Sequence, residues 1–231
     1  MNPVNKIFRS FLDTILPRAC VHCKTILPLY ENVLCGSCLN KIDHTTDQTL
    51  LTEFTTSFAA SGIDGFYSPF LFRQDSEIQS LIHSFKYSGL YGNAKYAGQL
   101  LAEKIIGAGL SGSFDILVPV PLHRLKKYSR GYNQSDYICK GMSEILNVPV
   151  DISGIKRIKN TKTQTMLNRH ERVLNMKDAF TNHRTGRIQG ARVLLVDDVK
   201  TTGATLIECA KALKSAGAAG VIAATFAIAH H

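Results

Sequence analysis

The run Arg192-Val-Leu-Leu-Val-Asp-Asp-Val-Lys-Thr-Thr-Gly-Ala-Thr205 holds the densest group of chemistry-bearing residues in the chain. Its four consecutive apolar residues read as a buried strand. That strand delivers two adjacent carboxylates, Asp197 and Asp198, to its carboxyl end, where open α/β sheets hold their ligands. Thr201, Thr202, Gly203, Ala204 and Thr205 then form a hydroxyl-rich loop feeding straight into a helix. Backbone N–H groups, hydroxyls and the positive end of that helix together suit one phosphate monoester. Carboxylates next to a phosphate cradle need something uncharged or cationic between them, and the hydroxyls of a ribose or a Mg²⁺ ion meet that need. The pattern therefore points to a ribose 5-phosphate. An isolated Asp-Asp before a helix cap would mean only a turn. A nucleotide P-loop is excluded, because Gly203 is followed by Ala204 where that loop requires a lysine.

A second constellation lies near the amino terminus. Cys20-Val-His-Cys23 and Cys35-Gly-Ser-Cys38 are two CxxC pairs separated by the eleven residues from Lys24 to Leu34. Each pair presents two sulfurs to one ion, and two pairs close a tetrahedral zinc shell with no position left for water. Such a site folds its segment and does no chemistry. The spacer has room for the hairpin of a zinc ribbon, with Pro28 in the connection. A redox role for one CxxC and replacement of one cysteine by His22 or His44 are the alternatives. Cys139 and Cys209 fall in helical patterns and read as small buried apolar residues.

The elements that must position these groups are legible from periodicity. Residues 1–17 have apolar positions at helical spacing. Leu50 to Phe58 and Gly65 to Phe72 read as strands or a hairpin beyond a polar linker. Ile78, Leu81, Ile82 and Phe85 mark an amphipathic helix ending near Ser88-Gly89. A helix from Asn93 to Ile106, a strand from Phe114 to Val120, a helix from Tyr132 to Leu146 and a strand from Ile152 to Ile158 follow. The chemistry-bearing strand, a helix from Gly203 to Ala216 and a last strand from Val221 to Ile228 complete the chain. Strands alternating with helices, several apolar on both faces, predict an α/β domain with a parallel sheet. Its expected extent is residues 49–231, with residues 1–48 holding the helix and zinc ribbon and a separate core.

Charge is concentrated. The net +9 arises from residues 124–192, where fifteen Lys/Arg face five Asp/Glu. Such a stretch attracts phosphates, nucleic acid or anionic lipid, or is simply a solvated basic face. No run reaches the ~18 apolar residues of a membrane span. With four of six cysteines in CxxC pairs, a reducing cytoplasmic location is expected.

The run from Arg192 resembles the phosphoribosyl-pyrophosphate (PRPP) signature of type I phosphoribosyltransferases. Further stretches, namely Lys86 in Ser-Phe-Lys-Tyr-Ser-Gly, Val118-Pro-Val-Pro-Leu-His-Arg124, Arg130-Gly-Tyr-Asn-Gln134 and Lys162-Thr-Gln164 with Arg169 and Arg172, are similar to the ComF (GntX-like) competence family. That family also carries an amino-terminal four-cysteine ribbon. The resemblance implies that Asp197 and Asp198 bind the ribose hydroxyls and that Thr201 to Thr205 bind the 5-phosphate. It makes Pro119, Val120, Pro121, Leu122, His123 and Arg124, with Lys86, a pyrophosphate loop. Lys156 to Asn175, including Arg157, Lys159 and Lys162, would be a cationic lid. His123 as a turn cap and Lys86 as a solvated helix end are the plainer alternatives. The implied activity is transfer of phosphoribose from PRPP, with Mg²⁺, to a nitrogenous acceptor. The family name implies instead a binding module for single-stranded DNA in natural transformation, with competence or DNA-uptake proteins as partners. Tyr128 and Tyr132 around Arg130 would then stack on bases. Glutamine-dependent ammonia transfer is not expected, since the chain begins Met1-Asn2 without the cysteine nucleophile it needs.

Overall fold

The computed structural model describes residues 17–28, 31, 33–159 and 176–229. The expected amino-terminal helix and most of the cationic lid, Lys162 included, lie outside the described residues.

The elements in chain order are α1 (Gly36–Leu39), α2 (Asp47–Ser57), β1 (Gly65–Tyr67), β2 (Phe70–Phe72), α3 (Glu77–Tyr87), α4 (Tyr91–Gly107), β3 (Ile116–Pro119), α5 (Arg124–Arg130), α6 (Gln134–Leu146), β4 (Ile155–Arg157), β5 (Phe180–Asn182), β6 (Arg192–Lys200), α7 (Ala204–Ser215) and β7 (Gly220–Ala229). The main sheet has the order β1-β7-β6-β3, with β2 also on β7, and every pairing in it is parallel. Central strands β6 and β7 are buried almost throughout, as their unbroken apolar runs require. On one face lie α3, α4 and α6, on the other α7 with the β4-β5 ribbon. Helices α4 and α6 cross very closely: a Cβ on Gly98 would stand 2.0 Å from the Ile138 carbonyl oxygen. Only glycine permits that approach.

Three expectations about elements are corrected. Leu50 to Phe58 is helical, not extended, and belongs to α2. Thr46 caps it by accepting from the Thr49 amide at 3.1 Å, and the Thr55 and Thr56 hydroxyls bond back to the Leu51 and Thr52 carbonyls. These β-branched residues imitate a strand pattern while satisfying helical geometry. Gly65 to Phe72 is extended as expected, in β1 and β2, but it forms no hairpin with Leu50 to Phe58. Both strands run parallel to β7, from Gly65 opposite Ile222 to Phe72 opposite Ala229, as one edge strand interrupted at Ser68-Pro69. The strand expected from Ile152 leaves the main sheet, and β4 pairs antiparallel with β5. Helix α5 escaped the periodicity argument because its seven residues have four cations and no apolar face.

The expectation of separate cores is also corrected. Cys20, Leu27, Leu34, Cys38 and Ile42 belong to the same buried cluster as Ile78, Leu81, Phe85 and Phe226. The cysteine segment alone has too little apolar surface for a core, so it borrows the α3 face of the sheet.

Candidate functional site

Strand β6 carries Asp197 and Asp198 past the end of β3, and the chain then turns through Thr201–Gly203 into α7. Asp197 Oδ1 accepts from the Ser135 hydroxyl at 3.0 Å and from the Asp198 amide at 2.9 Å. Burial, reinforced by the adjacent Asp198, pushes the Asp197 carboxyl up to about 7. Asp198, 5% exposed, is held from three sides. Its Oδ2 lies 2.9 Å from Lys86 Nζ and accepts from Gln134 Nε2 at 3.1 Å, while Oδ1 accepts from the Val199 amide at 2.7 Å.

The loop after the acids is shaped by Gly203, whose φ of +79° lies in the left-handed region. A Cβ there would stand 2.8 Å from the Phe58 ring. Gly203 has no side chain to cap α7, though its carbonyl accepts from the Ile207 amide at 3.0 Å, and the Thr202 hydroxyl stands 3.4 Å from the Ala204 amide. Behind the loop, Lys200 is buried, ion-paired with Glu53 of α2 and set over the Phe58 ring at 5.7 Å.

Arg130-Gly-Tyr-Asn-Gln134 forms the opposite wall, and each of its residues has a structural task. Arg130 donates to Gln134 Oε1 at 2.7 Å, which presents the Gln134 amide N–H to Asp198. Gly131 ends α5 in the left-handed conformation. The Tyr132 hydroxyl donates to the Phe85 carbonyl near the end of α3. Asn133 Nδ2 donates to the Val120 carbonyl at 3.1 Å and to Asp136 Oδ1 at 2.6 Å, fixing the loop after β3. Its Oδ1 is buried with no hydrogen-bond partner among the described residues.

These walls enclose a cavity of about 390 Å³. Of the expected residues it gathers Lys86, Val120, Pro121, Leu122, Arg157, Asp197, Asp198, Thr201, Thr202, Gly203, Ala204 and Thr205. Pro119, His123, Arg124 and Lys159 do not line it. His123 Nδ1 accepts from the Leu125 amide at 3.3 Å, so the imidazole caps α5. Lys159 Nζ donates to the Lys177 carbonyl at 2.7 Å. Lys86 is not a solvated helix end, being tied to Asp198. Sequence reasoning missed the roles of Lys126, Gln134, Ser135 and Lys200, all of which line the cavity. Buried polar residues opening an amphipathic helix, as in Asn133-Gln134-Ser135, were the available signal. Burial and the charges of Arg157 and Arg130 lower the Lys126 pKa, so cations crowd the side of the cavity that leads to α5. Tyr132 is buried and bonded to Phe85, which removes it as a stacking platform, whereas Tyr128 is 90% exposed.

The sulfurs of Cys20, Cys23, Cys35 and Cys38 all lie within 4.8 Å of one another, a metal-binding arrangement. Cys23 Sγ and Cys35 Sγ are 3.6 Å apart. Ligands about 2.3 Å from a tetrahedral zinc are separated by roughly 3.8 Å, so the sulfur set fits that ion. His22 instead bonds to Ser80 and His44 packs on Phe70, so neither displaces a cysteine. The hairpin is placed differently from expectation: the antiparallel bridge Ala19 to Ile26 wraps the first CxxC itself, while the second opens the helical turn α1.

The phosphoribosyl transferase domain family model matches residues 135–231. Competence protein F of Haemophilus influenzae is 30% identical over 216 residues, covering 86% of this chain and 91% of that protein. DNA utilization protein YhgH of Escherichia coli is 35% identical over 147 residues, covering 62% of this chain and 64% of the relative, under two thirds of its length. Competence protein ComFC of Bacillus subtilis is 27% identical over 108 residues, 46% of this chain and 41% of that protein. Among solved structures, glutamine PRPP amidotransferase from B. subtilis overlaps 58% of this chain and 26% of its own at 19% identity, with a TM-score of 0.40. No helix among the described residues is long and apolar enough to cross a membrane. With a phosphoribosyltransferase-like α/β domain following a four-cysteine cluster and a relative matched over nine tenths of its length, the chain belongs to the competence protein F (ComF) family.

Proposed function

We propose that the protein binds PRPP together with Mg²⁺ and transfers its phosphoribosyl group to a nitrogenous acceptor in the cytoplasm, with a structural zinc ion on the four cysteines. The observation that carries this reading is the meeting of Asp197, Asp198 and the Thr201–Thr205 loop in one cavity, with cations on its far side. The two acids accept from the ribose hydroxyls, and the loop amides and threonine hydroxyls hold the 5-phosphate. Pyrophosphate lies toward Lys126, Arg130 and Arg157. Mg²⁺, when bound, neutralises pyrophosphate charge. In the transfer the C1–O bond breaks with its electron pair going to pyrophosphate, the acceptor nitrogen lone pair forms the C1–N bond, and the acceptor proton passes to water. Fixed cations act where negative charge accumulates on the leaving group.

The test is calorimetry of PRPP with Mg²⁺ against native protein and the double variant Asp197→Asn with Asp198→Asn. Each charged hydrogen bond lost is worth roughly 1.5–3 kcal/mol, so affinity falls at least about tenfold per acid. Unchanged affinity removes the ribose assignment. Pyrophosphate release over a panel of bases and amines then identifies turnover.

A second reading, handling of single-stranded DNA alongside competence or DNA-uptake proteins with PRPP as ligand or regulator, is favoured by one surface. On α5, the exposed Tyr128 stands among Arg124, Lys126, Lys127 and Arg130, and relatives bear the names competence protein and DNA utilization protein. Neutralising two α5 lysines, Lys126 and Lys127, then reduces the slope of log K against log salt by about 0.7 per lost phosphate contact. An unaltered slope places the DNA site elsewhere or nowhere.

A further inference from the structure

Helix α3 touches both constellations of the protein. At its amino-terminal end, His22 from the first CxxC turn shares a 3.0 Å hydrogen bond between Nδ1 and Ser80 Oγ, and its Nε2 lies 3.7 Å from Glu77 Oε1. Glu77 and Ser80 stand three residues apart and so share one face of the helix. Glu77 also lines a cavity together with Cys23, Cys35 and Cys38. At the other end of α3, Lys86 meets Asp198, and the Phe85 carbonyl takes the Tyr132 hydroxyl. Between these ends Ile78, Leu81, Ile82 and Phe85 are at most 1% exposed and pack in one cluster with Cys20 and Cys38. An α-helix rises 1.5 Å per residue, so from Ser80 to Lys86 the strut is about 9 Å long. It has no glycine or proline at which to bend.

We infer that His22 is a positioning residue for the phosphoribosyl site: metal binding orders the first CxxC turn, His22 seats that turn on Ser80 and Glu77, and rigid α3 sets Lys86 against Asp198. This rests on the proposal that the cavity binds PRPP. Lys86 fixes the Asp198 carboxylate in one orientation and offsets its charge, so an error in the seat of α3 reaches the ribose-binding acid directly. The metal cluster then serves the site at a distance, by holding one helix in register.

The experiment uses the full chain loaded with zinc and compares native protein with His22→Ala, His22→Gln and Ser80→Ala. Each is measured for zinc content, for PRPP affinity with Mg²⁺ by calorimetry, and for amide hydrogen exchange across residues 77–87. Both alanine variants are expected to keep one zinc per chain, to bind PRPP roughly two- to tenfold more weakly, as loss of one ordered hydrogen bond allows, and to exchange faster along α3. The glutamine variant, whose amide can still reach Ser80, recovers most of the affinity. In a Lys86→Met background, His22→Ala has little further effect on PRPP, since the strut no longer ends on a charge. Native PRPP affinity in zinc-replete Ser80→Ala and His22→Ala overturns the inference, as does an undiminished effect in the Lys86→Met background. Absence of PRPP binding by native protein removes the proposed function instead. Faster exchange in the alanine variants then still supports the seating of α3 by His22, and unchanged exchange rejects it.

Discussion

Lys86 Nζ stands 2.9 Å from Asp198 Oδ2, joining the last turn of α3 to the end of β6 in the wall of the cavity. The ammonium is one fifth exposed and the carboxylate nearly buried. Replacing Lys86 with Met leaves Asp198 with the Gln134 and Val199 donors but no cation. Because the lysine is partly solvated, the expected cost is about 1–3 kcal/mol, below that of breaking a fully buried pair. Urea denaturation checks it, and a loss under 0.5 kcal/mol would mean that water already screens the pair.

The pH dependence of folding should report Asp197. Its carboxyl is raised from 3.8 to about 7, so the native state keeps a proton that the unfolded chain has released across that window. The resulting contribution to stability is full below about pH 4 and is lost as pH rises toward 7. Asp197→Asn removes the titration, so its melting temperature relative to native protein should climb between pH 5 and pH 8. A difference independent of pH would place the Asp197 carboxyl in its ordinary range.

Gly203 carries two demands at once, a φ of +79° and the Phe58 ring 2.8 Å from where a Cβ would lie. Gly203→Ala should therefore lower stability by roughly 1–3 kcal/mol even without ligand. Gly203→Val should cost more and also abolish phosphate binding at the loop. Pairing Gly203→Ala with Phe58→Leu separates the causes: partial recovery of the melting temperature identifies the ring clash, and none identifies backbone strain.

Because Cys20 and Cys38 are buried in the cluster that contains α3 and β7 residues, loss of the metal should be felt throughout the α/β body. Protein purified without chelator is expected to contain one zinc per chain, and Cys35→Ser none. The variant should melt in one transition at a lower temperature, with the α/β body destabilised too. Two separated transitions, the later at the native temperature, would restore the picture of an independent ribbon.

Much of this molecule is determined locally by its sequence. The four apolar residues before Asp197, the Thr201–Thr205 loop and the two CxxC pairs each specify their own short-range geometry, so the hydroxyl-rich loop leading into a helix, the acids at a strand end and the four-sulfur cluster were legible in the sequence. The amphipathic spacing of α3 was equally plain. What only the tertiary structure decided are choices between local alternatives and relations between distant segments. Leu50–Phe58 reads as extended until Thr46 caps it and the Thr55 and Thr56 hydroxyls donate to the Leu51 and Thr52 carbonyls one turn back. His123, which sequence left between a cap and a ligand, caps α5 by accepting from the Leu125 amide, and Lys159 donates to the Lys177 carbonyl, eighteen residues on. Gln134 and Ser135 become holders of Asp198 and Asp197 across more than sixty residues of chain. Periodicity carries no such information: it says which face of a helix is buried, while the packing of α6 against β6 selects which polar group meets which carboxylate.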